Sequence, residues 1–152
     1  MSTARITDDN LGAWLIKCQP TVNVEVPRAI LSGDRTPITR WCVATNYRSR
    51  MMKAGDRVLL WVSGDGRRLA RGIWGAGHVT WPVRRMLDEQ GCQLEKLEVP
   101  LSVLLLLDGL PAEEIRSAGI ALEVWRSPMG SNPSWIEIDQ LAALDALPAQ
   151  RS

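Results

Sequence analysis

A glycine-rich strand that follows a strongly apolar one is the feature that most restricts how this chain can fold. Residues 56–62 have the pattern of a buried strand, residues 63–67 that of a turn, and residues 71–80 that of a second strand. This order predicts a β-hairpin. Gly72, Gly75 and Gly77 lie within the second strand, where glycine indicates tight curvature or the close approach of a backbone or a ligand.

Short helices and strands alternate along the rest of the chain. In chain order the patterns predict a strand at 13–18, an irregular crossing segment at 21–40 with a helical turn at 27–33, a short helix at 46–53, a helix at 83–90, a strand at 97–107, a helix from Pro111, a short strand at 122–126, a loop at 127–134 and an amphipathic helix at 136–147. We therefore expect an α+β fold, a small curved β-barrel with short peripheral helices. The 152 residues suit one domain, with a core at about 12–148.

Composition indicates the cellular compartment in which we expect this protein. No stretch approaches about 18 uncharged apolar residues, so we expect no membrane helix. The polar first ten residues do not resemble a secretory signal. Cys18, Cys42 and Cys92 form no CxxC pair, which argues against a zinc ribbon, and three free thiols suit the reducing cytoplasm.

Few side chains suit catalysis. The chain has one histidine, His78, which lies within a strand and has no recognisable motif around it, so a structural role is favoured. There is no phosphate-binding GxxxxGK[ST] loop, no GxGxxG that opens a helix, and no carboxylate pair spaced for acid–base work in the basic part. We therefore expect a binding protein without enzymatic activity and without a metal or cofactor.

Charge and tryptophan are concentrated in the first half. Residues 1–82 carry 12 Lys and Arg against 6 Asp and Glu, whereas residues 83–152 carry 6 against 11. Five of the seven tryptophans lie in the basic part, and the chain has no phenylalanine. A basic face suggests a polyanionic partner, and indole rings stack well on nucleobases, although a solvated face and an indole-filled core explain the same features.

Four segments in order resemble EVE domains. Residues 13–20 read AWLIKCQP, similar to W-L-x-K-x-E-P; residues 41–56 read WCVATNYRSRMMKAGD, similar to W-x-x-V-R-N-Y-x-x-R with M-K-x-G-D. Residues 58–63 resemble the strand that ends Y-H-S, and residues 71–79 resemble G-I-x-G-x-x-x-V. A weaker similarity to the closing element of the family covers residues 127–147.

The resemblance implies a PUA-like curved barrel, in the superfamily that includes the YTH domains, with a pocket for a modified base and a basic surface for the nucleic-acid backbone. In the YTH pattern a tryptophan of the base-holding cage falls at Trp41. This chain departs from the EVE pattern at Gln19, where the family has Glu, at Trp61 and Val62, where it has Tyr and His, and at Thr45, where it has Arg. The preferred base is therefore not indicated.

Residue chemistry and the resemblance together predict the site. The expected ligand-binding residues are aromatic rings, amides that read a base edge and the walls around them: Lys17, Cys18, Gln19, Trp41, Cys42, Val43, Asn46, Tyr47, Trp61, Ser63, Trp81 and Asn132. The residues expected to hold phosphates are Arg48, Arg50 and Lys53. Asn46 equally suits a helix cap, and Trp14 and Trp61, which lie on strands, also suit the core.

The predicted function is non-catalytic recognition of a modified base in DNA or RNA. Components of a restriction or RNA-modification system stay open as further partners. One alternative is a small amidohydrolase similar to the ASCH type, in which a Lys, a Thr and a Glu act on acylated cytidine. Lys17 would supply the lysine, but no glutamate occurs between Glu25 and Glu89. The other alternative is a protein-interaction module with no nucleic-acid role.

Overall fold

A computed structural model describes residues 5–20, 22–63, 69–87, 90, 93–126 and 133–147, with 93–96 and 126 described by their backbone alone. Some predicted features lie outside these residues: the part of the 63–67 turn after Ser63, the part of the 127–134 loop before Pro133, Cys92 and Asn132. No helix within the described ranges is long and apolar enough to cross a membrane.

The fold is α+β and is dominated by one sheet. The elements are β1 (Leu11–Cys18), α1 (Glu25–Ser32), β2 (Ile38–Val43), α2 (Tyr47–Met51), β3 (Arg57–Val62), β4 (Gly72–Val79), β5 (Arg84–Leu87), β6 (Gln93–Pro111), α3 (Ala112–Ser117), α4 (Glu123–Arg126), β7 (Ser134–Glu137) and α5 (Ile138–Asp145). The strand order is β2-β6-β4-β3-β1-β7, and β5 also pairs with β6. No pairing of described residues joins β2 to β7, so the sheet is open there instead of closing into the expected barrel.

The glycine-rich strand behaves as its sequence predicts. β3 and β4 pair antiparallel, from Arg57 with His78 to Val62 with Gly72. A side chain at Gly77 would overlap the carbonyl oxygen of Ser102 on β6, and one at Gly72 would overlap that of Leu110. The close approach inferred from these glycines is therefore an approach of the β6 backbone.

Each central strand buries both of its faces. On β1, Trp14, Ile16 and Cys18 pack into one apolar cluster, and Ala13 and Leu15 pack into a second one. This separation follows from the two-residue period of a strand. α1 packs on the first cluster through Val26, whereas α3, α4 and α5 cover the second cluster.

Four local predictions are wrong. The segment predicted as irregular at 21–40 ends in a strand, because Ile38–Val43 pairs with β6 as β2. Residues 83–90 do not form a helix, because Arg84 and Arg85 pair with Glu98 and Leu97 of the long β6 and make a strand. Residues 122–126 are predicted as a short strand, but Glu123–Arg126 forms α4, and Leu122 and Val124 pack into the second cluster. The last helix begins at Ile138, because Ser134–Glu137 first pairs with β1. In each case tertiary contacts override a short local pattern.

Candidate functional site

A groove of about 1260 Å³ opens where the parallel strands β1 and β3 end. Ser63 is attached to the end of β1, because its backbone N–H donates to the Cys18 carbonyl oxygen over 3.0 Å. We call the groove at these strand ends the Trp groove. Its described lining combines indoles, amides, cations, two acids and two sulfur groups: Trp41, Trp61, Trp125, Gln19, Asn23, Lys17, Arg40, Arg71, Arg116, Glu25, Glu98, Cys42 and Met86.

Two indoles form the aromatic wall of the groove. The Trp61 and Trp125 rings meet edge to face, with centroids 6.0 Å apart and an interplanar angle of 79°. Trp61 is only 1% exposed and forms the base of the wall, whereas Trp125 is half-buried. The Trp125 Nε1 finds no hydrogen-bond partner among the described residues. Trp41 lines the groove from β2 and is 9% exposed.

Trp125 is a groove residue that sequence reasoning missed. It lies in the acidic second half of the chain and on a four-residue helix, so neither charge nor a recognisable motif marks it. The available signal was its amphipathic surroundings, since Leu122 and Val124 alternate with polar residues. Only the packing of α4 beside the end of β3 brings Trp125 next to Trp61.

An ion pair fixes α4 in place. Arg48 of α2 donates from Nη1 and Nη2 to the two carboxylate oxygens of Glu123, over 2.6 and 2.8 Å. The Ser134 hydroxyl and the Trp135 Nε1 donate to the same carboxylate over 2.9 and 3.0 Å. Arg48 also donates to the Pro133 carbonyl oxygen. This Arg48–Glu123 ion pair joins α2, α4 and the start of β7.

The charges around this ion pair perturb two pKa values. Burial raises the pKa of the Glu123 carboxyl, but hydrogen bonds from Arg48, Ser134 and Trp135 and the charge of Arg48 lower it, and the net pKa is below its ordinary value. Burial lowers the pKa of Lys17 in the groove wall, as does Arg48, while Glu123 opposes the shift. Lys17 therefore presents a partly desolvated ammonium group to the groove.

The two described cysteines differ sharply. Cys18 is buried in the first cluster, and burial together with Glu25 raises its pKa to about 12, which keeps the thiol protonated and unreactive. Cys42 is exposed in the groove, and its Sγ lies 3.4 Å from the Sδ of Met86. Cys18 thus packs in the core and does not line the groove, whereas Cys42 lines the groove and would contact a bound molecule.

Seven of the predicted ligand-binding residues line the Trp groove: Lys17, Gln19, Trp41, Cys42, Val43, Trp61 and Ser63. Four described ones do not. Cys18 belongs to the core, and Asn46 caps α2 by accepting the Ser49 backbone N–H. Tyr47 packs beside the first cluster, with the Arg5 guanidinium 4.4 Å from its ring centroid. Trp81 is 67% exposed and is not part of the groove lining.

The three residues predicted to hold phosphates lie away from the groove lining. Arg48 is bound to Glu123, Lys53 donates to Asp8, and Arg50 is exposed on α2. The cations that do line it are Lys17, Arg40, Arg71 and Arg116. Arg40 lies 3.9 Å from Glu98, which Arg84 also binds at 2.7 Å.

Comparison with known proteins gives a structural likeness. The chain is similar to the NMR structure of Rpa0253 from Rhodopseudomonas palustris, with a TM-score of 0.57 and 15% identity over 87% of this chain and 89% of that one. No protein-family model matches the sequence, and no curated protein does. The likeness therefore concerns the fold alone.

Proposed function

We propose that the Trp groove binds a modified base of DNA or RNA without catalysing a reaction on it. The observation that carries this proposal is the convergence of three indoles from β2, β3 and α4 on one open groove with cations around it. Ligand pockets commonly measure about 300–1000 Å³, so a groove of about 1260 Å³ has room for a nucleotide with its sugar and phosphate. The open sheet is, on this proposal, an EVE-like version of the PUA-like fold.

The lining suits a planar heterocycle. Stacking on an aromatic side chain stabilises a bound base by about 1–3 kcal/mol, and Trp125, which lines the groove and is only half-buried, offers such a side chain. The amides of Gln19 and Asn23 carry both a donor and an acceptor, which reading a base edge requires. The apolar groups Val22 and Val26 lie in the same lining, where an added methyl group would gain burial.

The test is fluorescence anisotropy with five labelled single strands that differ at one central base: adenine, N6-methyladenine, cytosine, 5-methylcytosine and 5-hydroxymethylcytosine. We expect one modified strand to bind more tightly than its unmodified partner. Replacing Trp125 by Ala should weaken that binding about 5- to 140-fold, which is the stacking free energy converted at 1.4 kcal/mol per tenfold change. Trp125→Phe, which keeps a ring, should retain most of it.

Trp81→Ala is the matched control, because Trp81 is exposed and lies outside the groove lining. Its affinity for every strand should equal that of the unaltered protein. If the protein binds each modified strand no more tightly than its unmodified partner, the groove does not recognise a modified base and the proposal is wrong. A loss caused by Trp81→Ala but not by Trp125→Ala would move the site out of the groove.

An amidohydrolase is the second candidate, because Glu123 supplies a carboxylate whose charge acts on Lys17 in the groove wall. An acid–base catalyst has to take up and release a proton, and the hydrogen bonds to Glu123 lower its pKa and favour the ionised form. This argues for binding over turnover. Hydrolysis of N4-acetylcytidine that is lost in Lys17→Ala would support the enzyme instead.

A further inference from the structure

Two arginines that are far apart in sequence line the Trp groove from neighbouring elements, and we call the part of the groove that they line the corner. Arg71 directly precedes β4, and its carbonyl oxygen accepts the backbone N–H of Ala112 over 2.7 Å. Arg116 follows Ala112 by four residues, about one turn of α3, so it lies on the same side of that helix. Both side chains line the groove, and both residues are exposed.

The aromatic wall holds one of these guanidinium groups. The Arg116 Cζ lies 5.1 Å from the centroid of the Trp125 ring. No ion pair joins Arg116 to another described residue, although Glu113 and Glu114 begin the same helix. A stacked guanidinium keeps its N–H edges available, and their fork geometry suits two oxygens of one phosphate.

The acids in the lining belong to other elements. Glu98 lies on β6 and is bound by Arg84. Burial and the charge of Glu25, which begins α1, raise the pKa of Cys18. Among the lining cations, Arg116 therefore places its positive charge directly beside the Trp125 ring.

We propose that Arg71 and Arg116 are the phosphate-binding residues of the groove, in place of Arg48, Arg50 and Lys53. This inference rests on the proposed function and narrows it. The occupant is a phosphorylated nucleotide within a strand, whose phosphate meets the two guanidinium groups while its base stacks beside Trp125. A free nucleoside lacks the group that this corner recognises.

The test measures how binding of a ten-nucleotide oligothymidine falls with salt. Phosphate contacts carry no sequence information, so an unmodified strand is a fair probe. Each phosphate contact on a single strand contributes about 0.7 to the slope of log affinity against log salt concentration. We expect Arg71→Gln and Arg116→Gln each to lower the slope by about 0.7, and the double variant by about 1.4. Arg116→Lys, which keeps the charge, should keep the slope.

Arg50→Gln is the matched control, because Arg50 is an exposed arginine outside the groove lining. Its slope should not change. An unchanged slope in both Arg71→Gln and Arg116→Gln, with binding and base preference intact, would overturn this inference and leave the proposed function standing. A lowered slope in Arg50→Gln alone would overturn it too. Failure of the unaltered protein to bind any strand would instead refute the proposed function, and this inference with it.

Discussion

Replacing Arg48 by Met tests the ion pair that holds α4 beside the groove. Met keeps an unbranched apolar stem of similar length but removes the guanidinium group. The two hydrogen bonds to Glu123 and the one to the Pro133 carbonyl oxygen are then lost. Glu123 keeps Ser134 and Trp135 as donors, so its carboxylate loses its charged partner but not every hydrogen bond.

The size of the effect follows from burial. Removing one partner of a buried ion pair commonly costs about 3–5 kcal/mol. Here the side chains of Arg48 and Glu123 are 20% and 12% exposed, and Ser134 and Trp135 still donate to the Glu123 carboxylate. The lower end of the 3–5 kcal/mol range therefore applies. We expect the free energy of unfolding to fall by about 3 kcal/mol. For a chain of this length, that lowers the melting temperature by about 6–12 °C.

The assay is urea unfolding at pH 7, followed by tryptophan fluorescence, of Arg48→Met, Glu123→Gln and the double variant. The double-mutant cycle should give a coupling free energy of about 1–3 kcal/mol. Arg50→Met, an exposed position on the same short helix, should change stability by no more than about 0.5 kcal/mol. A loss below about 0.5 kcal/mol in Arg48→Met, with no coupling to Glu123, would refute the reasoning.

Three further results follow from the structure. Because the folded-state pKa of Glu123 lies below the ordinary 4.5, the stability that its ionised form contributes is present above pH 4.5 and is lost as the pH falls below that value. The difference in urea-unfolding free energy between the unaltered protein and Glu123→Gln should therefore shrink below pH 4.5. A difference that stays constant with pH would contradict this. Gly77→Ala should cost at least about 1–3 kcal/mol in the same assay, since its methyl group would overlap the Ser102 carbonyl, whereas the exposed Thr80→Ala should not. In a Cys92→Ser background, iodoacetamide should label Cys42 and not Cys18 at pH 7.5, because Cys42 is exposed and the pKa of the buried Cys18 is raised. A bound oligonucleotide should slow the labelling of Cys42. Rapid modification of Cys18 would contradict its raised pKa.

The longest and most periodic segments could be predicted from sequence. The hairpin of β3 and β4, the strand β1 and the start of α3 at Ala112 follow directly from apolar alternation, glycine and proline. Residues 84–87 and 122–126 could not be assigned in the same way. They are short, and the choice between helix and strand depends on whether β6 supplies a hydrogen-bonding partner or the second cluster supplies an apolar surface.

The lining of the candidate site was predictable where it lies on those strands. Lys17, Gln19, Trp61 and Ser63 lie at the adjacent ends of β1 and β3, which are neighbouring parallel strands. Which basic residues line the groove was not predictable, since a count of charges does not tell which arginine is bound by an acid. Arg48 has the same sequence context as Arg50, yet an acid 75 residues away binds it.

The sequence by itself determined the strands that carry the groove floor, because a strand's two-residue period and its glycines are local properties of the chain. Only the tertiary structure decided which groups face the groove. Trp125 reaches Trp61 because α4 packs on the sheet, and Arg116 lines the same groove as Arg71 because α3 begins beside β4. Such pairs depend on contacts between distant segments, and the energy of those contacts is not encoded in any single window of sequence.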